Sequence, residues 1–146
     1  MARRSCPCGS GASYDACCRP LHRGDRRAAT AEQLMRSRYS AFAVHDAGYL
    51  LRTWHPATRP PSLDLDPRLA WEGLEVLATE AGGPDDVNGI VEFRAHHRTG
   101  RESGVLHEVS RFRRQGEQWL YVRGRTEMST DRHTPETQPD PGGPRA

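Results

Sequence analysis

Residues 105–113 read Val105-Leu106-His107-Glu108-Val109-Ser110-Arg111-Phe112-Arg113. Side chains of a strand alternate between two faces, so Leu106, Glu108, Ser110 and Phe112 share one face. Leu106 and Phe112 are apolar, which turns that face inward and carries Glu108 into a partly apolar interior. Upstream, Val91, Phe93 and Ala95 alternate with Glu92, Arg94 and His96 in the same period of two. Thr99-Gly100 and Gln115-Gly116 supply turn chemistry, and Trp119 to Val122 reads as a last strand. The result is an antiparallel meander. Trp119 and Tyr121 fall on one face of it, and Trp119 is placed with Arg38, Glu108 and Ser110 around an interior pocket.

Helices precede this meander. Thr30 followed by Gln33 is a capping box, and Leu34, Met35, Arg38, Tyr39, Ala41 and Phe42 keep the i, i+3, i+4, i+7 spacing of a helix running to about Val44. Asp46 caps a second helix carrying Tyr49, Leu50 and Trp54, which Pro56 ends. Residues 71–80 fit a helix or a strand equally well. Helices first and strands afterwards predict an α+β fold with the helices on one face of the sheet.

Two charged residues stand out in that arrangement. Arg38 shares a helical face with Leu34 and Phe42, where a charge needs a partner, and Glu108 is the partner the strand parity offers. The expectation is a buried ion pair between Glu108 and Arg38 or Arg36, whose disruption costs on the order of 3–5 kcal/mol. The other reading makes Glu108 a general acid or base with a raised pKa. Tyr39 and His55 are then further candidate catalytic residues, although His55 also suits a cap on the preceding helix. His96 and His97 face opposite sides of their strand and share no metal. His107 has the opposite parity from Glu108, so the two form no dyad.

All four cysteines lie within the first eighteen residues, as Cys6-Pro-Cys8-Gly-Ser-Gly-Ala-Ser-Tyr-Asp-Ala-Cys17-Cys18. Two disulfides or one tetrahedral metal would use them. Vicinal cysteines make a strained disulfide. The chain shows no signal peptide and no apolar membrane span, so a reducing, cytoplasmic setting is expected. Both points favour one structural Zn²⁺ held by Cys6, Cys8, Cys17 and Cys18. Gly9 and Gly11 let the backbone reverse, and Ser13 caps a short helical turn that returns Cys17 and Cys18 to the first pair. No apolar run in this segment builds a core, so the metal is expected to supply its folding energy. The chain then divides into a metal module over 1–22, a polar linker over 23–29, a globular domain over 30–127 and a disordered, proline-rich tail over 128–146.

The 21 basic residues are all arginine and the net charge is +2. Residues 1–27 hold six arginines against two aspartates, so the basic excess sits at the N-terminus. A binder of nucleic acid would carry a larger excess. The sequence has no glycine-rich phosphate loop, no nucleophile elbow and no carboxylate pair at a recognisable spacing.

The cysteine pattern resembles the SEC-C zinc motif, in which Cys-x-Cys is followed after eight residues by Cys and then Cys or His; Cys6, Cys8, Cys17 and Cys18 match position by position. The blocks Leu34 to Phe42, Tyr49-Leu50, Thr53 to Pro56, Glu108 to Phe112 and Trp119-Leu120-Tyr121 with Gly124 resemble the YchJ-like family of bacterial proteins. That resemblance implies a cone-like curved antiparallel sheet with N-terminal helices, the fold of nuclear transport factor 2, preceded by a small zinc knuckle. It implies a pocket between helices and sheet but no reaction, since such pockets serve enzymes and plain binders alike. Three roles follow. The first is a zinc-bearing adaptor or ligand-binding protein whose SEC-C module docks a protein partner while the pocket takes a small ligand. The second is a small enzyme without a cofactor that works through Glu108. The third and least favoured is a nucleic-acid binder.

Overall fold

The computed structural model describes residues 4–130. A single turn of 3₁₀ helix, Tyr14–Ala16, leads into α1 (Arg19–Arg23), α2 (Ala31–Ala43) and α3 (Ala47–Arg52). Four strands follow: β1 (Leu69–Ala81), β2 (Asn88–Thr99), β3 (Glu102–Gln115) and β4 (Gln118–Thr130). Each strand pairs antiparallel with its sequence neighbour, giving one sheet in the order β1-β2-β3-β4. The fold is α+β, with the helices on one face of a curved sheet. Residues 131–146 of the expected tail lie outside the described residues, and β4 runs three residues past the boundary expected at 127. No helix among the described residues is long and apolar enough to cross a membrane.

Local chemistry sets the helix starts. Thr30 Oγ1 accepts from Gln33 N at 3.0 Å, and Gln33 Oε1 accepts from Ala29 N at 2.6 Å, so donors at the start of α2 are satisfied by side chains. Asp46 Oδ1 does the same for Tyr49 N at 3.0 Å. α2 buries Leu34, Met35, Arg38, Tyr39 and Ala41, as its spacing predicts.

Residues 71–80 form strand. Their ambiguity has a physical cause: the β1–β2 register shifts at Trp71/Gly73 and again at Val76/Ala78. Each bulge inserts an extra residue, breaks the period of two and adds twist. A third shift, at Arg111/Phe112, curves β3 against β4. The sheet therefore wraps α2.

The buried residues form two clusters, a smaller one of Leu21, Ala41, Tyr49 and Leu50 and a larger one that takes in the cysteines. Cys6, Cys8 and Cys18 belong to the same buried cluster as Ala31, Leu34, Met35, Tyr39, Val91, Phe93, Phe112 and Trp119. The segment over 23–29, read as a linker, is laid onto this core: Ala28 is buried and the Ala29 carbonyl accepts from Trp119 Nε1 at 3.3 Å. The segment expected as a separate metal module is thus packed against the domain. On the far side, the end of α3 is stitched to β4, with Tyr121 N donating to Thr53 O and His55 N to Tyr121 O, each at 2.8 Å.

Candidate functional site

Two sites flank α2, one on each side. The first is the cysteine cluster. Cys6 N bonds Ala12 O at 2.9 Å and Tyr14 N bonds Arg4 O at 3.0 Å, which folds the chain into a tight loop. Gly9 and Gly11 take φ of +78° and +93° at its tip. Ser13 Oγ caps the 3₁₀ turn through Ala16 N at 3.2 Å, as its position predicts. All four cysteines are free thiols. Their sulfurs lie within 4.8 Å of one another. Cys8 to Cys17 is 3.7 Å and Cys17 to Cys18 is 3.9 Å. A tetrahedral centre with metal–sulfur bonds of about 2.3 Å needs edges of about 3.8 Å, so the donor set and spacing fit a tetrathiolate metal.

The crowding has an electrostatic signature. Hydrogen bonding from Cys18 and then Cys8 holds the Cys6 thiol well below its usual range, while the Cys18 thiol, bonded to Cys6, is pushed far up. One thiolate forms readily and its charge opposes the next. A divalent cation reverses that opposition.

The cluster is turned onto α2. Cys6 Sγ meets Ser40 Oγ at 3.5 Å, Cys18 Sγ lies 3.8 Å from Arg36 O, and Arg36 Nη1 donates to Cys8 O at 2.8 Å. His22 adds a further tie. Its Nε2 donates to Ser37 O at 2.8 Å, which leaves Nδ1 to accept from Tyr14 OH at 2.7 Å. Arg52 also donates to His22 O.

The second site is a cavity of about 190 Å³ between α2 and the concave face of the sheet. α2 contributes Met35, Arg38, Tyr39 and Phe42, and Trp54, expected on the second helix, contributes from just past the end of α3, where it bridges to Tyr121. The strands add Trp71, Phe93 and Ala95, then Leu106, Glu108, Ser110 and Phe112, and finally Tyr121. The alternation in β2 and β3 delivers these residues to one face, as their parity predicts.

Glu108 is 9% exposed, and both of its hydrogen bonds end on Oε2, from Ser110 Oγ at 2.5 Å and Tyr121 OH at 3.3 Å. Burial pushes its carboxyl above the usual 4.5, and the two hydrogen bonds and the Arg38 charge oppose that rise without cancelling it. The carboxylate also depends on Gly124. A Cβ built there would stand 2.1 Å from Glu108 Oε2, so only glycine leaves room for it.

The expected ion pair does not form. Arg38 donates through Nη1 to Leu50 O at 2.7 Å and Thr53 Oγ1 at 2.8 Å. Its guanidinium lies over the Tyr121 ring at 4.5 Å and the Trp54 ring at 5.1 Å. Tyr121 takes the place that parity alone gave to a direct contact. Arg36 pairs with Glu32 at 3.0 Å.

The sequence candidates thus separate. Arg38, Tyr39, Glu108 and Ser110 come together at the cavity. His55 does not: its Nδ1 accepts from Ala57 N at 3.0 Å, so it caps the following turn and not the preceding helix, and it lines a separate open cleft. Trp119, expected in the pocket, is 1% exposed in the core beneath Ala29 and lines no part of the cavity. His107 pairs with Glu92 at 2.7 Å on the outer face. Trp54, Trp71 and Tyr121 also line the pocket, beyond the residues that the sequence places there. The shared parity of Trp119 and Tyr121 was a usable signal for Tyr121, but the bulges hid Trp71.

Glu108 gives a prediction in which pH reports its role. A carboxyl whose folded pKa is raised binds its proton more tightly in the native state. Stability is then lost as pH rises from about 4.5 through the folded value. Glu108→Gln removes that loss. The unfolding midpoint at pH 7 is expected to hold or rise, and the wild-type advantage should return near pH 4. A loss of about 3–5 kcal/mol at pH 7, as from a broken buried ion pair, would refute this account.

Several known proteins are similar to this chain. Residues 30–124 match the family model described as the YchJ middle NTF2-like domain. A UPF0225 protein of Streptomyces coelicolor is 54% identical over 124 residues, covering 85% of this chain and 97% of that one. One from Corynebacterium efficiens is 52% identical over 119 residues, covering 82% and 91%. Among solved structures, a SEC-C motif containing protein from Rhodopseudomonas palustris superposes with a TM-score of 0.72 at 38% identity, covering 82% of this chain and 95% of that one. Another from Psychrobacter arcticus gives 0.67 at 31% identity, covering 81% and 80%.

Proposed function

We propose the following for this chain, which belongs to the UPF0225 family with its YchJ-like middle domain: it binds a small, ring-sized ligand in the cavity, and one Zn²⁺ on the four cysteines braces α2 from behind. A single observation carries the reading. A preformed cavity of about 190 Å³ is walled by aromatic rings and holds two buried ionisable side chains that form no ion pair with each other. An apolar cavity of about 150 Å³ takes up benzene, so this one suits a single substituted ring. Sites for small molecules combine such walls with a few placed polar groups.

The cysteine loop serves this site indirectly. Docking of a protein partner was the role its motif suggested first. Three of its four thiols are buried and its polar atoms bond α2, which makes it a support for the helix that supplies Arg38 and Tyr39. Thiolates suit Zn²⁺ among divalent ions. Glu108 acts here as a polar anchor, held by Ser110 and Tyr121.

Amide shifts in a titration with toluene and indole test the reading. Saturable shifts at Met35, Phe93 and Leu106 are expected. Ala95→Leu, which fills the cavity from the sheet side, should abolish them while keeping the fold. No saturable binding, or binding indifferent to Ala95→Leu, would overturn it.

A further inference from the structure

The two carboxyl oxygens of Glu108 are not equivalent. Oε2 is turned to β4: Ser110 Oγ donates to it at 2.5 Å and Tyr121 OH at 3.3 Å, and it lies against the bare α-carbon of Gly124. Oε1 accepts no hydrogen bond from any described residue, although Glu108 is only 9% exposed. Nor is it walled in. Among the described residues, the sealed side-chain polar atoms without a partner are the Tyr39 hydroxyl, Trp54 Nε1 and His97 Nε2; Oε1 keeps open surface where Glu108 lines the cavity. A carboxyl oxygen taken out of water without a donor bears a desolvation cost that a hydrogen bond would offset.

The charge of the lining is already balanced. Arg38 and Glu108 are its charged residues, one of each sign, and each senses the other across Tyr121. The guanidinium is engaged by Leu50 O, Thr53 Oγ1 and two aromatic rings. A ligand bearing net charge would upset that balance in a buried site, at high cost. Resting on the ligand-binding reading, we infer that the ligand is a neutral ring compound with one N–H or O–H group, which donates to Glu108 Oε1 while the ring seats against Phe42, Trp71 and Phe93. The open acceptor selects the donor, the balanced lining selects neutrality, and the aromatic wall selects the ring.

Indole and benzofuran share one shape, but indole donates a hydrogen bond and benzofuran only accepts. Titrated calorimetrically against the full chain at pH 8, indole should bind about tenfold tighter than benzofuran, and tighter than benzylamine or benzoate. Glu108→Gln reverses the contact. Ser110 and Tyr121 hold the amide oxygen at the Oε2 position, which sets the NH₂ donor where Oε1 stood. The preference for indole should then vanish or invert. If that variant does not fold, the wild type decides: the N–H proton of bound indole should show a nuclear Overhauser contact with the Glu108 side chain. Preference for benzofuran or for either charged probe, an unchanged indole-to-benzofuran ratio in Glu108→Gln, or an indole N–H remote from Glu108 would overturn the inference. Toluene binding that persists in such a case rejects the donor alone; loss of all binding rejects the cavity reading with it.

Discussion

Cys8→Ser should unfold the domain as a whole, not the first twenty residues alone. Cys8 is fully buried, and its sulfur lies in the same cluster as Leu34, Val91 and Trp119. Its backbone carbonyl holds Arg36 on α2. Structural zinc sites in small peptides contribute about 10–16 kcal/mol of apparent binding energy, whereas whole domains are stable by about 5–15 kcal/mol. Losing one of four ligands therefore removes a share comparable to the total. The expected result is one cooperative transition, shifted to much lower denaturant, with far-UV dichroism and tryptophan fluorescence moving together. Chelation of the wild type should reproduce it, and elemental analysis should find about one zinc per chain in the wild type and little in the variant. A main transition that stays in place while only the N-terminus melts would show the loop to be an independent appendage.

Trp119→Ala carries the second large effect. Trp119 is among the largest fully buried side chains, joined to Ala29 by its indole N–H and lying under Arg114. Truncating a buried tryptophan costs about 3–5 kcal/mol, through lost transfer energy and the cavity left behind. The milder Trp119→Phe keeps a ring but drops the bond to Ala29, so a smaller loss is expected. Toluene affinity should be unchanged in Trp119→Phe, because the residue lies outside the pocket. A variant of normal stability with impaired binding would return Trp119 to the pocket lining.

The sequence carried the fold wherever its pattern was regular. β2 and β3 keep an unbroken period of two from Val91 to Ala95 and from Val105 to Arg111, and α2 keeps its stripe from Leu34 to Phe42. These segments were legible, and so was the meeting of Arg38 with Glu108 at one cavity. β1 was not, because two bulges within eight residues erase its alternation. The missing Arg38–Glu108 contact was not legible either. Parity names a face and does not reveal that a third side chain, Tyr121, fills the gap. Position along the sheet was equally hidden: Trp119 and Tyr121 share a face, yet Trp119 pairs opposite Arg114 at the hairpin end while Tyr121 sits opposite Phe112 at the cavity. The four cysteines were legible as a ligand set by spacing alone. That they would face a helix was not, since nothing in residues 1–22 marks their surroundings.

The stitch between α3 and β4 has a bearing on self-association. A sheet ordered β1-β2-β3-β4 is open and leaves two margins, each a row of backbone groups able to recruit a strand from another molecule. On β4, the N–H and C=O of Tyr121 are taken by Thr53 and His55, and Thr58 Oγ1 takes Val122 O at 2.6 Å. Beyond that point come Arg123 and Arg125, charges that discourage pairing at such a margin. On β1, the two bulges bend the margin out of the straight line a visiting strand would need. The bonds that set Trp54 above Arg38 thus also shield the molecule from growing into a fibre.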